Sequence, residues 1–362
     1  MTGYRAFNDM NSFWMEHPGV DDDVVISSRV RLARNSPDFP FSETITVQEE
    51  RKLLDRVAAI PNRKEENGFE YFDFIDLSLV PVEEKQVLVE KHQISPALAM
   101  AQGATGLMIN AAETMAVMVN EEDHLRIQSI FPGLSVKDCW EKASAADDMI
   151  AHYIPAAFDS RWGYLTSCPT NVGTGMRASA MLHLPAIAMT GQVRRFLGNL
   201  PKYGFTSRGL YGEGSVCKGN LFQISNQITM GVSEEEIISQ LTDIVESIVN
   251  REREMRDILM ERERLQLEDR VIRAEALLTH AKLLSVDESF ELLSDLRLGI
   301  DLGILKQYYP KIFNTLMIQS QVPVLEKFAR ETRHTQEKMT LLEQNQQRAD
   351  LIRKKLIGGA RS

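Results

Sequence analysis

The stretch "CPTNVGTGMRAS" (168–179) brings together a thiol, Cys168, two glycines, Gly173 and Gly175, and a guanidinium, Arg177. Glycine-rich turns often cradle phosphate with backbone amides, but no Gly-Lys-Ser/Thr follows these glycines, so this is not a P-loop. Positive charge for a phosphate has to come from elsewhere, and arginine is the candidate. Arg29 and Arg31 follow "VVISS", Arg126 follows "NEEDHL", Arg177 follows the glycine turn and Arg208 opens "RGLYGEG". A guanidinium is planar, permanently charged and bidentate toward phosphate. Several converging on one cleft would clamp a triphosphate, whereas any one alone reads as a surface ion pair.

Such a clamp needs elements that bring its members together. "VVISS" (24–28) is a β-branched run that reads as a short strand. If the chain stays extended through 29 and 31, both side chains point to one face. Thr46 and Glu49 form a capping box for a helix that runs through "RKLLDRVAAI" and stops before Pro61. "GLMIN" (106–110), "TMAVMVN" (114–120), "HLRIQSIF" (124–131), "WGYLTS" (162–167) and "LFQISNQITM" (221–230) read as strands. "NDMNSFWMEH" reads as a short helix, and "RASAMLHLPAIAM" (177–189) as a helix kinked at Pro185. A second capping box, Ser233 to Glu236, precedes Ile237, Leu241, Ile244 and Ile248 at helical spacing. From 251 the chain is almost entirely helical in pattern, with breaks expected near Gly299, Gly303 and Pro310. The expected organisation is an N-terminal segment (1–23), an α+β catalytic unit (24–255) and an all-helical domain (256–362).

Composition narrows the class. With 362 residues, 43% hydrophobic and 25% charged, the chain can bury a substantial core. A formal net charge of −10 argues against non-specific nucleic-acid binding. Cys139, Cys168 and Cys217 form no CxxC pair, which suits a reducing compartment, and the histidines do not cluster at metal-ligand spacing. No window approaches the ~20 apolar residues of a membrane span. A cytoplasmic protein with no protein-built metal site is expected.

Four motifs, "SSRVRLAR" (27–34), "NEEDHLRI" (120–127), "CPTNVGTGMRAS" (168–179) and "RGLYGEG" (208–214), taken in that order, resemble the phosphagen (guanidino) kinases over roughly residues 24–255. The resemblance implies an antiparallel sheet flanked by helices and the use of ATP with Mg²⁺. By position it makes Arg29, Arg31, Arg126, Arg177 and Arg208 the nucleotide ligands, with His92 nearby. Ser27, Ser28, Val30, Ala178, Ser179, Ala180, Met181, Gly209, Leu210, Tyr211 and Gly212 complete the nucleotide-binding segments, together with Glu213. It also implies catalytic roles for Glu122, Cys168 and Glu213. A guanidinium acceptor is a poor nucleophile because its lone pair is delocalised. Two carboxylates can grip its N–H groups and take a proton while a thiolate sits beside the cation. Phosphoryl transfer asks mainly for this alignment and for charge compensation. Mg²⁺ is expected to be held by ATP oxygens and water.

Two features depart from the small-substrate members. The first motif begins at 27, without their helical N-terminal domain, and a helical region follows 255. Both resemble the bacterial protein-arginine kinases, which implies an acceptor arginine embedded in a polypeptide. It further implies protein substrates such as a heat-shock repressor and unfolded proteins, a zinc-binding activator protein, a Clp unfoldase that reads the mark, and a homodimer. The alternative is a kinase of free arginine or another small guanidino compound. The phosphoarginine-binding Arg-Asp-x-x-Arg-Ala motif of that group aligns with "QNQQRA" (344–349). Only Arg348 and Ala349 are retained, so a polar helix face is expected there.

Overall fold

The computed structural model describes residues 5–60, 72–209, 218–333 and 337–359. Two short helices, α1 (Arg5–Asn8) and α2 (Phe13–Glu16), precede β1 (Val25–Arg34) and α3 (Val47–Ala58). Then come β2 (Phe72–Asp76), α4 (Val82–Glu90), α5 (Pro96–Met100), β3 (Gly106–Asn110), β4 (Met115–Val119), β5 (Leu125–Pro132) and α6 (Val136–Ala151). A small hairpin, β6 (Phe158–Asp159) and β7 (Gly163–Tyr164), leads to β8 (Met176–His183), α7 (Pro185–Met189), α8 (Val193–Leu197), β9 (Phe205–Gly209) and β10 (Leu221–Asn226). Eight strands form one antiparallel sheet in the order β2-β3-β4-β5-β1-β8-β10-β9. The "SSRVRLAR" motif therefore lies on a central strand.

Several sequence expectations change. Residues 177–183 are strand, not helix: Ala178, Ala180 and Leu182 are buried on one face, and Arg177 and Ser179 lie on the other, a period of two. Pro185 does not kink a helix but starts α7, where its missing N–H has no partner to lose. The strand expected over 162–167 shrinks to Gly163–Tyr164, and the helix expected over 8–17 is split by the turn before Ser12. Both capping boxes form: Thr46 accepts from the Glu49 amide, and Ser233 from the Glu236 amide.

One face of the sheet, with Val30, Leu32, Val117, Ile127, Ala178 and Ile224, packs against α3 and α6 in the main core. On the opposite face, Ile75, Leu107, Ile109 and Met118 are covered by α4 and α5. The rest of that face carries the polar residues of the candidate site.

The C-terminal third is helical: α9 (Glu234–Arg262), α10 (Arg264–His280), α11 (Val286–Asp301), α12 (Lys311–Gln319), α13 (Val322–Arg333) and α14 (Leu341–Gly359). Helix α9 lays Ile237, Leu241 and Val245 into the main core and runs on through residue 255. Helix α11 continues through Gly299, and the break falls at Gly303, which has φ 71°. Phe290, Leu293, Phe313 and Ile352 of the helical region share one apolar cluster with Trp14, Ile130, Met181 and Leu221. Lys327 reaches Glu84 at 2.6 Å, and Arg253 reaches Asp21 at 2.8 Å. Arg348 and Ala349 are fully buried rather than on a polar face: Arg348 donates to the carbonyls of Ser320 and Leu284 and to Asn345 Oδ1. Among the described residues, no helix is long and apolar enough to cross a membrane.

Candidate functional site

Strand register assembles the arginines. In β1 the alternation sends Val30 and Leu32 into the core and leaves Arg29 and Arg31 on the opposite face. Arg31 pairs with Arg177 on β8, and Ala33 with Arg126 on β5. Arg208 on β9 pairs with Gln223 on β10, which pairs in turn with Met181 on β8. Arg29, Arg31, Arg126, Arg177 and Arg208 therefore share one face. The same parity divides the other candidates. Ser27, Ser179 and Met181 line a small cleft with Arg29, His92, Ile130 and Gln223. Val30, Ala178 and Ala180 face the main core. Ser28 is also on the core side, where its hydroxyl donates to the Gly133 carbonyl. Gly209 ends β9, and Leu210, Tyr211, Gly212 and Glu213 lie outside the described residues.

The electrostatics are unusual. Arg29 and Arg31 make no ion pair among the described residues. Burial, then the neighbouring guanidinium groups of Arg177 and Arg126, push Arg29 down to about 10. Arg31 is driven well below the ordinary arginine range by burial and then by Arg29, Arg126 and Arg177. His92 is pushed down to about 3, chiefly by burial and then by Arg29 and Arg31, so it is neutral at pH 7. Its buried Nε2 has no hydrogen-bond partner among the described residues. Like charges gathered on one face, with Arg29 and Arg31 unpaired among the described residues, favour an anionic ligand.

At the end of β4, the Glu121–His124 turn meets the Cys168 loop. Arg126 is gripped by Glu121 at 2.7 Å and by Glu122 at 2.9 Å. Glu121 also accepts from Ser95 at 2.6 Å, while the Glu122 side chain stays 45% exposed. Asp123 is fully buried, and its Oδ1 accepts from Asn35 Nδ2 and from the Ser167 amide, both at 2.7 Å. Ser42 Oγ lies within hydrogen-bond reach of the Glu122 carbonyl and of Ser167 Oγ. Asp123 and Ser42 thus tie the Glu122 turn to the loop one residue before Cys168. Cys168 is half-buried, with its Sγ 3.0 Å from Thr170 Oγ1.

The glycines of the opening stretch serve the backbone. A Cβ at Gly173, where φ is +115°, would lie 2.1 Å from the Thr229 carbonyl oxygen. One at Gly175 would lie 2.7 Å from the Ala33 carbonyl. Arg34, the last arginine of its motif, faces the other way: it binds Asp147 at 2.8 Å and stacks on Tyr164. Sequence reasoning missed Gln128, Gln223 and Ser225 on the site face. The period-two pattern of β5 held the signal for Gln128, two residues from Arg126. Ser225 accepts from Arg177 at 3.0 Å. Among the described residues, no three His, Cys, Asp or Glu side chains gather as a metal site.

A sheet face that gathers guanidinium groups, with a carboxylate turn and a thiol loop joined beside it, suits the class of phosphotransferases, whose substrates are polyanionic. Residues 55–255 match the family described as ATP:guanido phosphotransferase, C-terminal catalytic domain, and residues 264–361 match the protein-arginine kinase McsB C-terminal domain. The chain is 44% identical over 358 residues to the protein-arginine kinase of Halalkalibacterium halodurans, covering 98% of each chain. It is 42% identical over 356 residues to that of Geobacillus kaustophilus, covering 98% of this chain and 96% of the other. Among solved structures it is similar to lombricine kinase, with a TM-score of 0.57 over 68% of this chain and 70% of that one; at 23% identity the likeness is one of fold. The chain belongs to the protein-arginine kinase branch of the ATP:guanido phosphotransferases, and is an ATP-dependent kinase.

Proposed function

We propose that this enzyme transfers the γ-phosphoryl group of ATP to arginine side chains of proteins. The observation that carries the reading is the arginine face, above all Arg29 and Arg31, which are enclosed and without a carboxylate partner among the described residues. The triphosphate would lie across Arg29, Arg31, Arg177 and Arg208, its charge replacing mutual repulsion with bidentate contacts. Arg126 would exchange part of its grip on Glu121 and Glu122 for phosphate. That exchange frees Glu122 to accept N–H groups of the incoming guanidinium. The γ-phosphorus to bridging-oxygen bond breaks and a phosphorus–nitrogen bond forms. A guanidinium proton passes to a carboxylate, and ADP departs. Glu122 is the described residue in that role; Glu213 is its proposed counterpart. Cys168 would lie beside the cationic acceptor and help to steer it. Mg²⁺ supplies charge neutralisation when bound. Glu121 and Glu122 are engaged by Arg126, so the ion is best held by ATP oxygens and water.

Incubation with ATP, Mg²⁺ and either an unfolded protein or free arginine tests this. Phosphorus NMR at neutral to alkaline pH should reveal phosphoarginine on the protein; product on free arginine alone would overturn the reading. Our proposal extends to a cytoplasmic homodimer that marks a heat-shock repressor and unfolded proteins for a Clp unfoldase, under a zinc-binding activator. These steps rest on family resemblance. They are tested by phosphoarginine-directed mass spectrometry and by degradation assays with and without the kinase.

A further inference from the structure

Residues 5–16 precede the stretch matched by the catalytic family model, yet they pack directly behind the cleft. The fully buried Lys91 donates to the carbonyls of Ala6 at 3.0 Å and Asp9 at 2.6 Å, and to Glu113 Oε1 at 2.6 Å. Ser12 donates to the other Glu113 oxygen at 2.5 Å. A buried ammonium is costly unless its protons are all accepted, and here three acceptors converge on it. Two of the three come from the N-terminal segment. The clasp fixes α1 and α2 one residue away from His92.

His92 has φ 62°, a left-handed conformation uncommon outside glycine, which persists only when its surroundings impose it. Gln128 donates to its carbonyl at 2.7 Å. Behind its ring stands Trp14, with centroids 5.6 Å apart and planes inclined at 39°. Trp14 is fully buried, and its Nε1 has no hydrogen-bond partner among the described residues, so what it supplies to His92 is volume. On its other sides the indole belongs to the apolar cluster that contains Ile130 and Met181, two further residues of the cleft.

We infer that Trp14 is a positioning residue for the nucleotide, the back wall that keeps the His92 imidazole in the arginine cleft. The inference rests on the reading of that cleft as the ATP site. Failure of that reading is seen separately, as absence of phosphoarginine from the unaltered enzyme.

The full chain is tested first without substitution. Hydrogen–deuterium exchange with and without Mg-ATP should give added protection in peptides covering 5–16 and 88–94. Trp14→Leu then removes the ring, and Trp14→Phe keeps an aromatic wall. Trp14→Leu should raise KM for ATP about tenfold, the scale of one misplaced hydrogen bond. Its kcat and its KM for the protein substrate should stay within about twofold, well below that effect. Trp14→Phe should recover most of the loss. A purely structural tryptophan would lower melting temperature and kcat together and leave KM for ATP alone. Unchanged KM for ATP in folded Trp14→Leu overturns the inference. So does an exchange map in which ATP protects β1 and β8 but not residues 5–16, and this result decides the matter if Trp14→Leu does not fold.

Discussion

Arg29→Met separates what the arginine face does for ATP from what it does to the fold. Burial and then the repulsion of Arg177 and Arg126 bring Arg29 from the ordinary arginine range down to about 10. At 1.36 kcal/mol per pH unit, the gap corresponds to ~3 kcal/mol by which folding disfavours the charged form. The sign follows from linkage. The folded chain holds this proton less tightly than the unfolded chain does. The penalty is therefore complete at pH 7 and is relieved only as pH rises through about 10 toward the ordinary arginine range. Methionine fills much of the same space without the charge, so the ligand-free variant should gain about 2–3 kcal/mol. With an unfolding entropy of ~2.1 cal/mol/K per residue, a chain of this size melts roughly 3–4 °C higher for that gain. ATP should respond in the opposite direction. Losing charge-assisted hydrogen bonds worth ~1.5–3 kcal/mol weakens its affinity about 10- to 100-fold. Scanning calorimetry at pH 7, with and without saturating Mg-ATP, reads the first effect, and titration calorimetry the second. If ligand-free Arg29→Met melts several degrees lower while binding ATP normally, Arg29 is a structural group and the argument from uncompensated charge fails.

Other substitutions probe the remaining parts. Glu122→Gln keeps the shape of the turn and removes one of the two carboxylates on Arg126. Phosphoryl transfer, followed by phosphorus NMR, should fall by at least ~10²-fold while ATP affinity holds, as expected for a group acting on the transferred proton. Arg208→Lys preserves charge but loses the planar fork, and kcat/KM should drop about tenfold or more in a coupled ADP-release assay. Gly173→Ala forces a Cβ to within 2.1 Å of the Thr229 carbonyl at φ +115°. It should cost more than ~2 kcal/mol in thermal unfolding and change the alkylation rate of Cys168, with the buried Cys139 as an unreactive reference.

What could be read in advance was whatever depends on spacing along one strand or helix. Thr46 with Glu49 and Ser233 with Glu236 announce their helices because a capping box is closed by residues three apart. The period of two in "SSRVRLAR" places Arg29 and Arg31 together, although the strand runs six residues beyond the β-branched run that signalled it. Reading failed where two periods overlap. In "RASAMLH" the alanines suggest helix by propensity. Their burial on a central strand between β1 and β10 decides otherwise, because tertiary packing outweighs an intrinsic preference of a few tenths of a kcal/mol. Partners distant in sequence were not legible at all. Asp123 joins Asn35 to Ser167, Lys91 reaches Ala6 and Asp9, and Trp14 stands behind His92. None of these pairings has a local spacing rule. The arginine face and the core are nonetheless one problem for the sequence. A slip of β1 by a single residue against β5 and β8 would turn Arg29 and Arg31 into the core and bring Val30 and Leu32 out to the cleft. The hydrophobic core therefore holds the site in register: the burial that keeps Val30 and Leu32 inside obliges the two cations to remain side by side on the opposite face, with no ion-pair partner among the described residues.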